Sequence, residues 1–289
     1  MGPLVSLFIP TRRRPELLTR ALKSALAQNY PHLEILVVID GPDPETVGAL
    51  RPYLDHHQLR VLQRPTQGGA CRARNDAIES AQGELIAGLD DDDELLPDHV
   101  TTLVQALQSS NAPFVATTSV LLRQHGPLVR HAFEGPILLD RLLSENVIGN
   151  QVLTYTAHLR TLGGFDPNMP AWQDYDLWVR LTERFGPGYK IDARTYLQHQ
   201  EHDLERISSR NRIFLAHKAF ARKHSSLLRE KHLASLELLT FATAHEAISL
   251  AQLIRFVRAG LPRRAATAFV ADHFPRLRRL VLRMRRPLR

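Results

Sequence analysis

Four adjacent aspartates, at positions 90 to 93, are the residues whose types and spacing point most directly to chemistry. They follow the apolar segment 85–89, so they stand at the end of an expected buried strand. Neighbouring carboxylates repel one another, and a divalent cation would offset that repulsion. Hard oxygen ligands suit Mg²⁺ or Mn²⁺, and such an ion would neutralise a departing diphosphate. A solvated acidic turn before the next helix is an equally weighted alternative.

The aspartates are also expected to divide between two faces. Side chains alternate along an extended segment, so Asp90 and Asp92 should share one face. Asp91 and Asp93 should then share the other.

Two further groups suit a nucleotide. Asp40 follows the apolar segment 33–39 at a tight turn, where its carboxylate can accept hydrogen bonds from a base or ribose; a simple turn-forming role is the stronger alternative. The pair Gly68 and Gly69 enters a helical pattern that carries Arg72 and Arg74. Backbone amides at a helix start, together with guanidinium groups, suit a phosphate, although an ordinary loop-to-helix junction has the same appearance.

A third group suits an acceptor. Asp174 stands where a helical pattern begins, close in sequence to Trp172, so it can act as a general base beside an aromatic ring that stacks on a sugar. The favoured alternative is a helix cap with the tryptophan in the core. His199 and His202 follow an expected strand and are candidate metal or phosphate ligands; chance surface histidines are the simpler interpretation.

The elements that must position these residues alternate between strand-like and helical patterns. Repeated strand–helix–strand units predict an α/β fold with a mostly parallel sheet covered on both faces, whose ligands bind at the carboxyl ends of the strands. The helical pattern continues alone from about residue 208, with Pro262 and Pro275 at expected first helical positions. The strands are expected at 4–9, 33–39, 59–62, 85–89, 114–122, 152–159 and 189–197, and the helices after Pro15, at 73–81, after Pro97 and at 174–185.

Composition bounds the class of protein. The chain has 289 residues, a formal net charge of +7 and one cysteine, Cys71, which excludes an intrachain disulfide and a cysteine-rich zinc site. That suits a reducing, cytoplasmic setting. We expect neither a signal peptide nor a membrane span, because no apolar stretch approaches the required length. The basic charge indicates a polyanionic partner, but no nucleic-acid motif is present, so nucleic acid is not expected.

Much of the positive charge belongs to the end of the chain. Seven arginines and no acidic residue follow Asp272, and apolar residues from Leu261 onward fall at helical spacing. A basic amphipathic helix suits the surface of an anionic membrane, such as the inner face of a cell membrane. A helix that packs on the body and exposes a basic face is weighted equally.

Taken in order, these motifs resemble glycosyltransferase family 2, the inverting enzymes with the GT-A fold, over roughly residues 4–208. The resemblance predicts a GT-A (Rossmann-like) domain at 1–207 and a basic helical extension at 208–289. The motifs that carry it are Phe8-Ile9-Pro10-Thr11 with Arg14-Pro15, the segments 24–30 and 36–41, Ala73-Arg74-Asn75, Leu89 to Asp93 with Leu96-Pro97, and 163–166 through 174–181.

The resemblance also implies a role for each matching residue. Asp174 would be the catalytic base, Asp90 would contact the ribose, and Asp92 would bind Mn²⁺ or Mg²⁺ on the diphosphate. His199 would be a further metal or diphosphate contact, and Pro10, Thr11 and Asp40 would hold the nucleoside. The remaining residues expected to bind substrate are Arg14, Gly41, Arg74, Asp91, Trp172 and Gln173.

The implied reaction moves a sugar from a nucleoside-diphosphate sugar, with UDP-sugars favoured, to a glycan, lipid-linked or other hydroxyl acceptor in surface polysaccharide synthesis. The sequence departs from the family's pattern at three places, which puts the preferred nucleotide base and the preferred sugar in question. Gln173 replaces an acid, Ile39 and Pro42 replace an acid and a serine, and Arg13 replaces an asparagine. One alternative is a nucleotidyltransferase that makes nucleotide sugars, although 10–14 lacks the glycines its loop needs. The other is a non-catalytic glycan-binding protein.

Overall fold

A computed structural model describes residues 2–123, 126–199, 210–244 and 246–274, which form two compact units. The first unit comprises residues up to 142, then 146–168 and 173–199. The second comprises 143–145, 169–172 and the described residues from 210 onward. The predicted boundary at 207/208 lies outside the described residues and stays a prediction, as does the prediction for His202.

One sheet organises the first unit. The order of its central path is β3-β2-β1-β4-β9-β6-β10-β5, with β7 paired to β6 and β8 paired to β10. The strands are β1 Val5–Thr11, β2 Leu33–Ile39, β3 Leu59–Gln63, β4 Leu85–Gly88, β5 Glu94–Leu95, β6 Phe114–Leu122, β7 Leu128–Arg130, β8 Gly135–Ile137, β9 Leu153–Tyr155 and β10 Gly188–His199.

The long pairs in this sheet are parallel and the short ones are antiparallel. Strands β3, β2, β1 and β4 run parallel to one another, as do β6 and β10. The three-residue strand β9 lies antiparallel between β4 and β6. As a result, the residues that precede β9 lie at the same edge of the sheet as the residues that follow β4.

Helices cover this sheet and make up the second unit. In the first unit they are α1 Pro15–Leu26, α2 Pro44–Leu50, α3 Ala70–Ser80, α4 His99–Ser110, α5 Leu139–Leu142, α6 Thr156–Thr161 and α7 Gln173–Phe185, with a 3-10 turn at Arg51–Tyr53. In the second unit they are α8 Arg210–Lys223, α9 Glu230–Thr243, α10 Leu250–Arg258 and α11 Pro262–His273.

The apolar pattern explains why the central strands form. Every residue of β1 and β2 is buried, as expected for parallel strands that helices cover on both faces. Helices α1 and α11 begin at Pro15 and Pro262, where the fixed proline φ suits the first helical position and the missing N–H removes no bond. The predicted α/β architecture with a helical extension is therefore confirmed; Pro275 lies outside the described residues.

Five of the seven predicted strands differ in their bounds from the observed ones, and two of these differences have a clear physical cause. The strand predicted at 152–159 was wrong beyond Tyr155, where α6 begins and its alanine, leucine and arginine favour helix. Strand β1 runs past Pro10 to Thr11, because its pairing with β4 ends at Phe8. The proline therefore occupies a position where one side of the strand is unpaired.

The second unit has its own apolar core. Residues from α9, α10, α11 and the segment before α10 form it: Ala234, Leu238, Ile248, Phe256 and Ala265. Helix α10 begins with a capping box in which Ser249 accepts from the Gln252 backbone N–H and the Gln252 side chain accepts from the Ser249 N–H. None of the described helices combines the length and the apolarity needed to cross a bilayer.

Candidate active site

The carboxyl ends of β1, β2 and β4 lie at one edge of the sheet, and predicted site residues follow each of them. Thr11 ends β1, Asp40 follows β2, and Asp90 lies two residues beyond β4. The Thr11 hydroxyl donates to Oδ2 of Asp91 at 2.8 Å, so the ends of β1 and β4 are joined directly. This is the edge where parallel sheets bind ligands.

The aspartate run forms a turn, and the side chains alternate in burial as expected. The Asp93 N–H donates to the Asp90 carbonyl oxygen at 3.0 Å, which closes the turn. Asp91 and Asp93 are buried, whereas Asp90 and Asp92 are partly exposed. The two outward carboxylates are therefore the pair that a ligand can reach.

Asp91 is held from the β1 side. Burial raises the pKa of Asp91 to about 6, although the Thr11 hydroxyl and the Arg14 charge oppose that rise. Nη1 of Arg14 lies 3.3 Å from Oδ1 of Asp91 and 3.4 Å from Oδ2 of Asp92. Nη2 of Arg20 donates to the Asp92 carbonyl oxygen. Two arginines of the β1–α1 region thus offset the carboxylates that neighbour one another in the run.

Asp90 accepts hydrogen bonds from three side chains. Nη2 of Arg74 donates to Oδ1 at 2.8 Å, Nε2 of Gln151 donates to the same oxygen at 3.2 Å, and Nδ2 of Asn150 donates to Oδ2 at 2.6 Å. Burial tends to lower the pKa of Arg74, but the Asp90 carboxylate outweighs it and the pKa is raised. The guanidinium is therefore a fixed positive charge beside the first aspartate.

Asp93 faces the interior. Its Oδ2 accepts from the Tyr196 hydroxyl at 2.9 Å and from Asn150 at 3.2 Å, and its Oδ1 accepts from the His199 N–H at 3.2 Å. Burial, followed by the charges of the neighbouring aspartates, raises the pKa of Asp93 well above its ordinary value. The fourth aspartate is thus a structural anchor that ties the run to β10.

Asp174 lies in the first turn of α7, where the unpaired N–H groups and the helix dipole favour a carboxylate. Burial raises its pKa, the charge of Arg74 is the main opposing influence, and the charge of Asp90 raises it further. Nδ2 of Asn146 lies 3.4 Å from Oδ2 of Asp174. The aspartate run, Arg74 and the predicted base therefore share one electrostatic environment.

Asp40 closes the loop that enters α3. Its two oxygens accept from the N–H groups of Gly68 and Gly69, each at 2.7 Å, and Nε of Arg64 lies 3.2 Å from Oδ1. Gly41 has φ +99° and lies against the Gln67 backbone, so a side chain there would be strained. The glycine pair thus binds a carboxylate of this chain; the nucleoside-binding role of Asp40 stays a prediction.

The other predicted residues lie as follows. Pro10 is the penultimate residue of β1, and Gln173 is the first residue of α7. Trp172 belongs to the second unit, where its ring stacks on His217 with centroids 6.2 Å apart; its φ of +61° is rare for a bulky residue. Nε2 of His199 lies 3.1 Å from Oε2 of Glu94. Their roles toward substrate or metal stay predictions.

The side chains at this edge can be compared with the ligands that the predicted metal ion prefers. In the described part of the chain, no three histidine, cysteine or acidic side chains converge to form a ligand cluster. Mg²⁺ is usually bound by one or two carboxylates, with substrate phosphates and water completing its shell. The half-exposed Asp92 beside Asp90 fits that mode of binding and does not require a cage of protein ligands.

The loop before α7 is pinned to α3. Asn75 donates to the Phe165 carbonyl oxygen at 2.8 Å and accepts from the Phe165 N–H at 2.7 Å. Cys71, near the start of the same helix, is buried, and that burial raises its pKa to about 11 against the charge of Arg74. Helix α3 therefore fixes both Arg74 and the segment that leads toward Asp174.

Sequence reasoning missed several contributors to the site. Asn150 and Gln151 precede β9, Tyr196 lies within β10, and Arg20 lies in α1. An asparagine–glutamine pair at the start of a short strand was the available signal. Its position at this edge depends on the antiparallel direction of β9, which the strand pattern did not indicate.

Comparison with known proteins gives sequence relatives. The chain is 31% identical over 230 residues to a protein of Escherichia coli K12 named as a candidate colanic acid biosynthesis glycosyl transferase, WcaA; the match covers 77% of this chain and 82% of that protein. This relationship favours the transferase over both alternatives, the nucleotidyltransferase and the glycan-binding protein.

Solved structures share the fold. Staphylococcus aureus TarS 1-349 in complex with UDP-GlcNAc matches with a TM-score of 0.68 and 17% identity, covering 96% of this chain and 86% of that one. The mannosyltransferase PcManGT from Pyrobaculum calidifontis, in complex with GDP-Man and Mn²⁺, matches with a TM-score of 0.57 and 16% identity, covering 98% and 80%. The GT-A fold is therefore confirmed.

The family profile matches the part of the chain that contains the aspartate run, whereas Asp174 and Tyr196 lie beyond the matched range. It spans residues 6–159, which include β1, the aspartate run and the Asn150–Gln151 pair. More than half of the chain is covered, and the WcaA relationship extends further. The chain belongs to glycosyl transferase family 2, the family that its own motifs resemble.

Proposed function

We propose that this chain transfers a sugar from a nucleoside-diphosphate sugar, a UDP-sugar in the first instance, to a hydroxyl of a glycan or lipid-linked acceptor. The transfer inverts the anomeric configuration, depends on Mn²⁺ or Mg²⁺, and serves surface polysaccharide synthesis. The names of WcaA, a colanic acid transferase, and of the UDP-GlcNAc complex of TarS support the product class and the donor class.

One observation carries this proposal. The partly exposed Asp90 and Asp92 lie at the carboxyl edge of the sheet, and Asp174 lies in the first turn of α7, where burial raises its pKa against the charge of Arg74. A cation-binding pair of carboxylates on the donor side and a separate carboxylate of raised pKa on the acceptor side are what a single displacement requires. Buried structural ion pairs alone would not leave carboxylates accessible.

The chemistry follows from these positions. Asp174 takes the proton from the acceptor hydroxyl while the oxygen of that hydroxyl forms a bond to the anomeric carbon. The bond from that carbon to the diphosphate breaks on the opposite side, so the configuration inverts. Burial raises the pKa of Asp174, which makes it a stronger base, and the charge of Arg74 opposes that rise.

The charge on the leaving diphosphate must also be stabilised. Mn²⁺ or Mg²⁺ bound at Asp92 would supply Lewis-acid stabilisation of that charge. Arg14 can contribute to the same task, because its Nη1 already lies within 3.4 Å of the Asp92 carboxylate. Fixed charges placed before the reaction need no reorganisation as the charge develops.

The base assignment is tested with Asp174→Asn. Loss of a general base reduces turnover by roughly 10²–10⁴-fold, so transfer should become almost undetectable. Binding of UDP with Mn²⁺, followed by thermal shift, should remain, and Asp55→Asn at an exposed aspartate is the matched control. An Asp174→Asn protein with near-normal turnover would contradict the assignment. In the same assay, loss of the metal-dependent shift in Asp92→Ala would support the metal role.

We further propose that the C-terminal region binds an anionic lipid surface, which would place the chain on the inner face of a membrane. Leu250, Ile254 and Val257 of α10 are 61%, 46% and 43% exposed and fall on one stripe of the helix. Helix α10 contains no acidic residue, and seven arginines follow Asp272. Each basic residue near anionic lipid contributes about 1 kcal/mol of attraction.

Vesicle sedimentation tests this surface. The protein should bind phosphatidylcholine vesicles that contain phosphatidylglycerol and should not bind vesicles without it. Ile254→Gln should weaken binding roughly tenfold, because burying one such side chain contributes about 1.5–3 kcal/mol. Leu233→Gln, at a 43% exposed leucine of α9, is the matched control. No binding to anionic vesicles would reject the proposal, and a dimer lost in Ile254→Gln would show that a second copy covers the stripe.

A further inference from the structure

The segment 146–151 supplies polar side chains to the donor edge of the site from an antiparallel strand. In β9, Leu153 pairs with Ala87 of β4, so residues before Leu153 run alongside the residues after Ala87. Asn150 is thereby brought to the Asp90 carboxylate. The buried Lys190 donates to the Val147 carbonyl oxygen at 2.6 Å, which fixes the segment from the side of β10.

Asn150 bridges the two ends of the aspartate run. Its Nδ2 lies 2.6 Å from Oδ2 of Asp90 and 3.2 Å from Oδ2 of Asp93. Its Oδ1 accepts from Nε2 of Gln198 at 2.8 Å. Because carboxylate oxygens can only accept, the NH₂ group of Asn150 must face Asp90 and Asp93, and its oxygen must then face Gln198. The orientation of the amide is therefore determined by its partners.

Tyr196 completes the same network. Its hydroxyl donates to Oδ2 of Asp93 at 2.9 Å, and it accepts from the Asp90 backbone N–H at 3.3 Å and from Asn150 at 3.2 Å. The side chain is 3% exposed, and its ring packs edge-on against His99 with centroids 5.8 Å apart. Both the backbone and the carboxylate of Asp90 are thus held by groups that cannot easily move.

We propose that Asn150 and Tyr196 are positioning residues that fix the Asp90 carboxylate for binding of the nucleoside-diphosphate donor. Asn150 binds the Asp90 carboxylate, and Tyr196 binds the Asp90 backbone N–H, without adding a positive charge to those of Arg74 and Arg14. The run thus keeps the negative charge that remains for a divalent cation. A lysine in place of Asn150 would satisfy the same oxygens and remove that charge. The inference rests on the proposed donor-side role of Asp90.

The inference predicts an effect on the donor and not on the acceptor. In Asn150→Ala, Asp90 keeps Arg74 and Gln151 but loses the contact to Oδ2, so its carboxylate can rotate. Loss of a partner that orients a ligand group commonly costs about 10–100-fold in affinity or activity. The donor KM and the Kd for UDP with Mn²⁺ should rise by that amount, while the acceptor KM stays unchanged.

Tyr196→Phe is the second variant, because it keeps the buried ring and removes only the hydroxyl. It should raise the same two donor constants by a smaller factor. The double variant should show less than the product of the single effects, since both residues belong to one hydrogen-bond network around Asp90. Asn29→Ala and Tyr155→Phe, at an exposed asparagine and an exposed tyrosine, are the matched controls and should leave all constants unchanged.

Isothermal titration calorimetry with UDP and Mn²⁺ reads the donor site directly, and steady-state kinetics gives the donor and acceptor KM values. Donor constants that stay within twofold of wild type in both folded variants would overturn the inference. Donor KM, acceptor KM and Tm that worsen together would overturn it too, because that pattern indicates a structural role. Failure of the proposed function is distinguishable: the wild type would then bind no nucleoside diphosphate, or Asp174→Asn would stay active.

Discussion

The substitution Arg74→Met should show how the charge of this arginine affects activity, because it leaves most of the packing of the side chain in place. The guanidinium is half-buried, donates to Asp90 at 2.8 Å and lies 5.2 Å from the centroid of the Phe165 ring. It is also the charge that most strongly opposes the raised pKa of Asp174. Methionine keeps a comparable flexible stem against the phenylalanine and removes the positive charge.

The size of the expected effect follows from the influence of the Arg74 charge on the pKa of Asp174. A cation beside a carboxylate lowers its pKa by roughly 1–3 units, and each unit corresponds to about 1.4 kcal/mol. Without Arg74, the pKa of Asp174 should therefore rise. A base must be ionised to act, so activity is lost on the acid side. At pH values below the acid limb of the wild type the loss should be about tenfold or more, and it should shrink at higher pH.

The assay is the release of nucleoside diphosphate as a function of pH, for wild type, Arg74→Met and the exposed control Arg51→Met. The acid limb of kcat/KM should move to higher pH only in Arg74→Met. The lost charge-assisted hydrogen bond should also cost about 1.5–3 kcal/mol of stability, since Asp90 keeps Asn150 and Gln151. An unmoved acid limb in folded Arg74→Met would refute the electrostatic reasoning.

Two predictions concern the scaffold. Gly164→Ala should lower Tm, because φ is +69° there and a Cβ would collide with the Asn75 amide; the expected cost is about 1–3 kcal/mol, and unchanged Tm would refute it. Burial tends to raise the pKa of Glu34, but hydrogen bonds from Ser6, Arg60 and two backbone N–H groups outweigh it and the pKa is lowered. The Glu34 carboxylate therefore stabilises the fold above about pH 4.5, the ordinary pKa of a glutamate, and this contribution is lost as pH falls. The free energy of unfolding, measured in urea, should then decrease less at acid pH in Glu34→Gln than in wild type, and an equal decrease would refute this.

The strands that were predicted best are the ones buried on both faces. Residues 33–39 and 114–122 coincide with β2 and β6, because both segments are mostly apolar and a proline or turn-forming residue marks their limits: Pro31 and Asp40 for β2, and Pro113 for the start of β6. The strand predicted at 152–159 ran too long, because β9 and α6 follow one another without a turn residue between them.

Site residues were predicted where parallel strands end and missed where the geometry is different. Thr11 and Asp90 were found from the rule for carboxyl ends, and the structure joins their neighbourhoods through Asp91. Asn150 lies before an antiparallel strand, and that rule would have placed it at the opposite edge. Tyr196 is an ordinary strand tyrosine in sequence, and its role depends on a buried hydroxyl, two of whose partners, Asp90 and Asp93, are over a hundred positions away.

The burial of Cys71 makes this protein suitable for single-site labelling. With a pKa of about 11, very little of this thiol is the reactive thiolate at neutral pH, and its sulfur is almost inaccessible. The sequence contains no other cysteine. A cysteine introduced at an exposed position of α10, such as Ala251, would therefore carry a maleimide fluorophore with little background. Fluorescence from that position would report vesicle binding in solution, and the native thiol beneath the site would stay unmodified.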